Sequence, residues 1–167
     1  MKTRTHVWLV AGVVALAAAG AVRGAEPKKG ATMPGRAKGP FDVKVAPLTL
    51  SEVAQDPALG RMSIDKQYHG DLEGTGKGEM LTGGNAASGS GVYVAVERVS
   101  GTLGGKKGSF LLYHHATMTQ GKPDLTIMVA PESGTDQLAG ISGRMNIIFE
   151  AGGKHAYDFE YTLPDGR

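Results

Sequence analysis

Glycine is the residue type that most restricts what this chain can fold into. It supplies 26 of the 167 residues, about 16% against a usual value near 7%. Each glycine inside a helix costs about 1 kcal/mol relative to alanine, so the chain is too rich in glycine for a helical bundle. The length suits a single domain with a core of its own.

Short runs in which apolar and polar residues alternate fill the chain between its glycines. An alternation of period two predicts β-strands with one buried face, and only residues 51–60 could form a helical turn. Turn signals separate the runs, which favours an antiparallel sandwich or barrel. We predict eight strands, over 41–45, 62–68, 72–81, 91–102, 109–118, 123–131, 143–150 and 155–163.

The N-terminus has the three-part pattern of a secretory signal peptide, which we place at residues 1–24. Lys2 and Arg4 precede an apolar, alanine-rich run over 7–22, and small residues permit cleavage after Gly24 or three residues earlier. The alternative is an uncleaved membrane anchor, although 16 apolar residues are fewer than the roughly 18 to 20 that span a bilayer. We expect an exported protein, periplasmic or secreted, without stable membrane insertion after cleavage.

Residues 25–40 are predicted to form a basic, flexible linker ahead of a barrel domain over 41–167. The linker contains four cations and no large apolar residue except Met33, so it has little to bury. Residues 1–40 hold seven Lys or Arg and one acid, a net charge of +6, and the remaining 11 bases and 15 acids leave −4 on the body. Because nucleic-acid binding depends on clustered cations, an acidic body excludes it as a leading function.

Sequence motifs for metals, nucleotides and covalent catalysis are missing. The chain has no cysteine, which excludes disulfides, thiolate nucleophiles and cysteine-ligated metals. His114 and His115 are neighbours on a strand and face opposite ways, so they cannot chelate one metal ion together. The glycine motifs of hydrolases, P-loops and dinucleotide-binding folds are also missing. We therefore expect no metal site and no cofactor.

Glu97 and His114 are the candidate catalytic residues. Glu97 lies among the valines of its strand, and a carboxylate inside a barrel must be paired, hydrogen-bonded or protonated, which is how general acids and bases arise. The alternative is a structural salt bridge of Glu97 with Arg98 or with a lysine across the sheet. His114, on an apolar face, is either a hydrogen-bonded core residue or a catalytic one.

One face of the predicted strand over 72–81 carries glycine at Gly74, Gly76 and Gly78. If this face points inward it contributes no side-chain volume. Either aromatic side chains fill the space, or the glycines only allow strong coiling of the strand, or a small, largely apolar ligand occupies the interior. The candidate ligand contacts are Tyr68, Tyr113, Tyr157 and Tyr161.

These residues leave three functions open. The first is an exported barrel that binds a small apolar molecule. The second is an isomerase or cyclase in which Glu97 and His114 supply acid–base help. The third is an assembly module in which an outward face of Val92, Val94 and Val96 forms the interface of a homo-oligomer.

Several segments spread over the body carry a family resemblance. They are 68–74 (YHGDLEG), 97–105 (ERVSGTLGG), 108–110 (GSF), His114 and 133–143 (SGTDQLAGISG). On these segments the chain resembles the bacterial family catalogued as domain of unknown function 3224. Residues 134–143 are also similar to the glycine-framed loop of allene oxide cyclase and dirigent-type barrels. The resemblance implies a closed eight-stranded antiparallel barrel, and proteins of the latter two kinds hold a reactive lipid or phenolic intermediate inside it.

Overall fold

The structure, a computed structural model, describes residues 32–164, which form a closed barrel of eight antiparallel strands. Each strand pairs with the next one in the chain, and the first pairs with the last. The predicted barrel is therefore confirmed, while the predicted signal peptide lies outside the described residues. The strands are β1 (Thr32–Leu48), β2 (Leu59–Tyr68), β3 (Leu72–Asn85), β4 (Ser90–Leu103), β5 (Lys106–Thr119), β6 (Lys122–Val129), β7 (Ser142–Phe149) and β8 (His155–Pro164).

Helical structure in residues 32–164 is limited to single 3₁₀ turns. The predicted helical turn at 51–60 is such a turn over Glu52–Ala54, and the chain then enters β2. Accordingly, none of the described helices has the length and apolar character needed to cross a membrane.

The interior of the barrel is built by the alternation seen in the sequence. On β4, for example, Ala95, Glu97 and Val99 are buried, while Val96 and Arg98 between them are exposed. The same alternation on the other strands produces one continuous core. Its members are Ala37, Phe41, Tyr68, Leu72, Val99, Leu103, Phe110, Leu112, Ile127, Val129, Leu138, Ile141, Met145, Tyr157, Phe159 and Leu163.

The flexible linker predicted over 25–40 is wrong for its second half. Residues 32–40 form the beginning of β1 and pair with β8, while 25–31 lie outside the described residues. Two of the four cations that suggested a solvated tether are ion-paired to the neighbouring strand: Arg36 and Lys38 contact Asp158 at 2.6 and 3.3 Å.

Small residues explain why this half of β1 forms without burying a large apolar side chain, since its Met33 is exposed. Backbone hydrogen bonds hold it to β8, and Ala37 is its buried residue. The ring of Tyr161 lies over Gly35, and the hydroxyl of Tyr157 lies over Gly39, so a Cβ at either glycine would overlap them. The aromatic side chains of β8 thus supply the apolar cover that β1 lacks.

Strand ends differ from the predictions where glycine interrupts the pattern. β3 continues to Asn85, beyond the predicted end at residue 81. The turn between β4 and β5 is shorter than the predicted strand ends at 102 and 109 imply, because only Gly104 and Gly105 separate the two strands, both with positive φ (55° and 80°). A two-residue hairpin loop that matches the right-handed twist of its strands needs positive φ at both of its residues, which glycine adopts readily.

Candidate functional site

The two ends of the barrel differ. One end is closed by the segment between β6 and β7, whose Leu138 and Ile141 are fully buried in the core. Gly108 of β5 lies directly against this segment, because a Cβ there would meet the side chain of Leu138. The core is packed from this end to about the middle of the barrel.

The opposite end is open and holds a cavity of about 750 Å³. It lies between the first residues of β2, β4 and β6 and the last residues of β3, β5 and β7. None of the described residues that line it is charged. Its walls include Leu59, Tyr93, Ala116, Leu125, Ile147 and Phe149.

A buried ionic cluster lies beneath the floor of this cavity, in the middle of the barrel. Glu97 is fully buried and accepts hydrogen bonds from Lys66 Nζ at 2.7 Å and from the Tyr68 hydroxyl at 2.8 Å. Lys66 also donates to the Tyr68 hydroxyl at 3.2 Å, and its Nζ lies 5.2 Å from the centre of the Phe41 ring. His114 is buried beside them, so we call Lys66, Tyr68, Glu97 and His114 the ionic cluster.

The glycines of β3 bring the ionic cluster together. Lys66 on β2 and Glu97 on β4 are separated by β3, where they pair with Gly76 and Gly78. A Cβ on Gly76 would overlap the Glu97 carboxylate and press on the Tyr68 ring. The glycine face therefore points inward, and the side chains of the two flanking strands meet over it.

These contacts decide the protonation of the cluster. Burial alone would raise the pKa of Glu97, but its contacts with His114 and Lys66 outweigh burial and lower the pKa to about 2. The pKa of Tyr68 is raised well above its ordinary value, first by burial and then by the charge of Glu97. At neutral pH the cluster thus contains a carboxylate and a neutral phenol.

His114 is close to Glu97 without being hydrogen-bonded to it. Its Nε2 lies 3.2 Å from Glu97 Oε2, which is close enough for an ion pair, but the ring is not aligned for a hydrogen bond. This Nε2 is the one buried side-chain polar atom among residues 32–164 without a hydrogen-bond partner. The two candidate catalytic residues are therefore in contact, yet neither lines the cavity.

The four tyrosines predicted to contact a ligand do not line the cavity either. Tyr68 belongs to the ionic cluster, and Tyr161 is packed over β1. The hydroxyl of Tyr157 accepts from the backbone of Leu72 and donates to a backbone carbonyl, which ties it to the closed end. Tyr113 faces outward, because it lies one residue from the inward His114 on β5.

Sequence reasoning offered a lysine across the sheet as the structural partner of Glu97 without identifying Lys66, which the structure shows to be that lysine, and it missed Tyr93. Lys66 continues the alternating apolar face of β2, and a lysine on such a face is a detectable signal for a buried partner. Tyr93 lies on the inward face of β4, in register with Ala116 and two positions from the buried Ala95. It lines the cavity and lies on the same face of β4 as Glu97, and burial and then the charge of Glu97 raise its pKa.

No metal centre is formed by the described residues, since no three of their His, Asp and Glu side chains converge. His69 has two carboxylate neighbours, with one ring nitrogen 3.6 Å from Asp42 and the other 3.6 Å from Glu73. These two carboxylates lie on opposite sides of the imidazole and cannot share one ion with it.

Comparisons with known proteins point to one family. The family model described as protein of unknown function (DUF3224) matches residues 37–161. A crystal structure at 1.84 Å resolution of a protein with unknown function from the DUF3224 family of Shewanella oneidensis MR-1 is 39% identical, with a TM-score of 0.72. The alignment covers 81% of this chain and 100% of that one. None of the curated proteins matches the sequence.

Proposed function

The chain belongs to the DUF3224 family of proteins of unknown function, and from this premise we propose that it binds a small, largely apolar molecule in the open end of its barrel. The observation that carries the proposal is the contrast between the two ends: one is packed with side chains, and the other keeps a cavity of about 750 Å³ with uncharged walls. Ligand sites for small molecules commonly have about 300–1,000 Å³ and mostly apolar walls.

The test is binding of N-phenyl-1-naphthylamine, an uncharged fluorescent probe, to the purified protein. Ala116 is buried and lines the cavity wall, so Ala116→Leu should fill part of the cavity and weaken binding at least five-fold. Ala139 is exposed at the closed end, and Ala139→Leu is the matched control that should leave binding unchanged. Wild-type protein that fails to bind the probe, or equal binding by both variants, would overturn the proposal.

The ligand contacts in this proposal are Tyr93 and the apolar walls rather than the four tyrosines named from the sequence. Nor do we assign acid–base catalysis to Glu97 and His114. An ionised carboxylate with a pKa of about 2 is a poor proton donor at neutral pH, and it lies beneath the cavity floor. We assign the ionic cluster a structural role beneath the cavity floor.

Export is part of the same proposal and rests on the signal-peptide pattern of residues 1–24. N-terminal sequencing of protein recovered from the periplasm or medium should begin near Ala25. Protein that retains Met1 in the membrane fraction would contradict export with cleavage.

A second candidate role, self-association, is favoured by the outer face of β3, β4 and β5. Val92, Val94 and Val96 are 55–56% exposed, and Leu81 beside them is 54% exposed. The patch is uncharged, and Arg61 at its rim is neutralised by its neighbour Glu79 at 2.6 Å. Two copies can therefore bring this face together without opposing like charges, and burying it would remove an apolar patch from water.

Light scattering on a sizing column tests self-association. Val94→Asp at the centre of the patch should convert an oligomer to a monomer. Val53→Asp is the control, since this valine is 98% exposed on the turn between β1 and β2. A wild-type protein that is strictly monomeric at high concentration would contradict this role.

A further inference from the structure

Tyr93 is one of the polar residues that line the cavity, together with Thr82 and Asn146 among others. It lies on the inward face of β4, where it pairs with Thr82 of β3 and Ala116 of β5, and it lines the cavity wall. Ala95 and then Glu97 follow on the same face, so the tyrosine stands between the cavity and the ionic cluster. A molecule that enters the barrel to its full depth reaches this side chain.

The Tyr93 hydroxyl is available as a hydrogen-bond donor. The side-chain hydrogen bonds formed among residues 32–164 occupy the hydroxyls of Tyr68 and Tyr157 but not that of Tyr93. A phenol that is partly buried in apolar surroundings gains from a partner, because an unpaired polar group is costly once water is excluded. The missing partner is an acceptor atom.

The surroundings also select the charge of that acceptor. Burial and the charge of Glu97 both raise the pKa of Tyr93, so the phenol keeps its proton and donates. The same two effects oppose any second negative charge beside it. No lysine, arginine or histidine is among the described residues of the wall, so an anionic group would be buried there without a counter-ion.

We infer that the cavity selects an uncharged, largely apolar molecule whose inner end carries an acceptor oxygen, such as a ketone or an ether, and that Tyr93 donates its hydrogen bond to that oxygen. This inference rests on the proposed ligand-binding function and adds the chemical class of the ligand. Tyr93 is a binding and specificity residue here, and no covalent step is involved.

Three probes with one aromatic body separate these features: 2-ethylnaphthalene, 2-acetylnaphthalene and 2-naphthoate. Their dissociation constants are measured by displacement of N-phenyl-1-naphthylamine from wild-type protein, Tyr93→Phe and Tyr113→Phe. Tyr93→Phe removes the hydroxyl and keeps the ring. Tyr113→Phe is the matched control, because this tyrosine lies on the outer face and is 39% exposed.

Tyr93→Phe should weaken the ketone by about 3- to 10-fold, the usual net effect of one neutral hydrogen bond, and should leave the hydrocarbon unchanged. Tyr113→Phe should alter neither. On wild-type protein at neutral pH, the carboxylate should bind at least ten-fold more weakly than the ketone.

The outcomes distinguish this inference from the proposed function. If neither uncharged probe binds wild-type protein, the proposed function itself fails. If both bind and Tyr93→Phe changes them equally, the cavity is a ligand site but the assignment of Tyr93 is overturned. A carboxylate that binds as tightly as the ketone overturns the selection against charge.

Discussion

Glu97 keeps its charge inside the barrel because its neighbours replace the water it has lost. Lys66 supplies the opposite charge, and Tyr68 supplies a second donor. Removing one partner of such a group leaves the other charge buried and unpaired, which costs more than the pair contributed. The ionic cluster is therefore the point at which single substitutions should have their largest effect on stability.

Glu97→Gln keeps the shape of the side chain and removes its charge. Because Lys66 loses its counter-ion at a site where it is 7% exposed, we expect the free energy of unfolding to fall by about 3–5 kcal/mol, measured by urea denaturation. Asp65→Asn, which breaks the exposed pair with Lys77, should cost less than about 1 kcal/mol. Small and equal losses in the two variants would contradict a structural role for the cluster.

The pH dependence of stability follows from the pKa of Glu97, about 2 in the folded chain against an ordinary 4.5. A depressed pKa contributes stability that is fully present above about pH 4.5 and is lost as the pH falls toward 2, because the unfolded chain binds the proton first. Asp158, whose pKa Arg36 lowers to about 2, titrates in the same window. Wild-type protein should therefore lose more stability than Glu97→Gln between pH 5 and pH 2.5, and parallel urea midpoints would contradict this prediction.

At the scale of the element, β3 is distinguished by an inward face that carries glycine at positions 74, 76 and 78. Its inward glycines let the side chains of Lys66 on β2 and Glu97 on β4 meet across the strand that lies between them. In most sheets, side-chain pairs join directly neighbouring strands. At Gly74 and Gly78, backbone atoms of β4 occupy the positions that a Cβ would take. A methyl group is therefore excluded on this face.

Gly76→Ala should lower the free energy of unfolding by about 1–3 kcal/mol, the usual cost of overpacking. Its Cβ would overlap the carboxylate of Glu97. Gly83→Ala on the same strand is the control, because its Cβ would meet Leu59 at 3.4 Å, an ordinary contact, and we expect little change. Thermal unfolding of both variants measures the difference, and equal melting temperatures would contradict the steric argument.

The strands could be predicted from the sequence because alternation is a local property. The contact of Lys66 with Glu97 could not, because it depends on which strands are neighbours and on the direction of the glycine face. The first half of β1 was missed for a related reason: its apolar cover is supplied by Tyr157 and Tyr161, more than a hundred residues away. A ligand was expected in the interior or the mouth of the barrel, and the cavity is found at one end because the segment over 130–141 closes the other.

At the scale of the whole molecule, the barrel closes through the half of β1 that buries no large apolar side chain. Without it, β8 would present an unpaired edge, which is a template for aggregation. We expect a chain that begins at Phe41 to be less stable in urea and to aggregate with concentration on a sizing column. A chain that begins at Thr32 is the control, and identical behaviour of the two would show that closure by 32–40 is dispensable.

The pairing of β1 with β8 also sets the order in which the fold can be completed. Arg36 and Asp158 are separated by 122 positions along the chain. The first strand to be synthesised, β1, therefore cannot pair with β8 until the end of the barrel domain has been made. Contacts between such distant segments slow folding, typically to milliseconds or seconds. Until β8 has been synthesised, β1 lacks its partner on that side and the barrel cannot close.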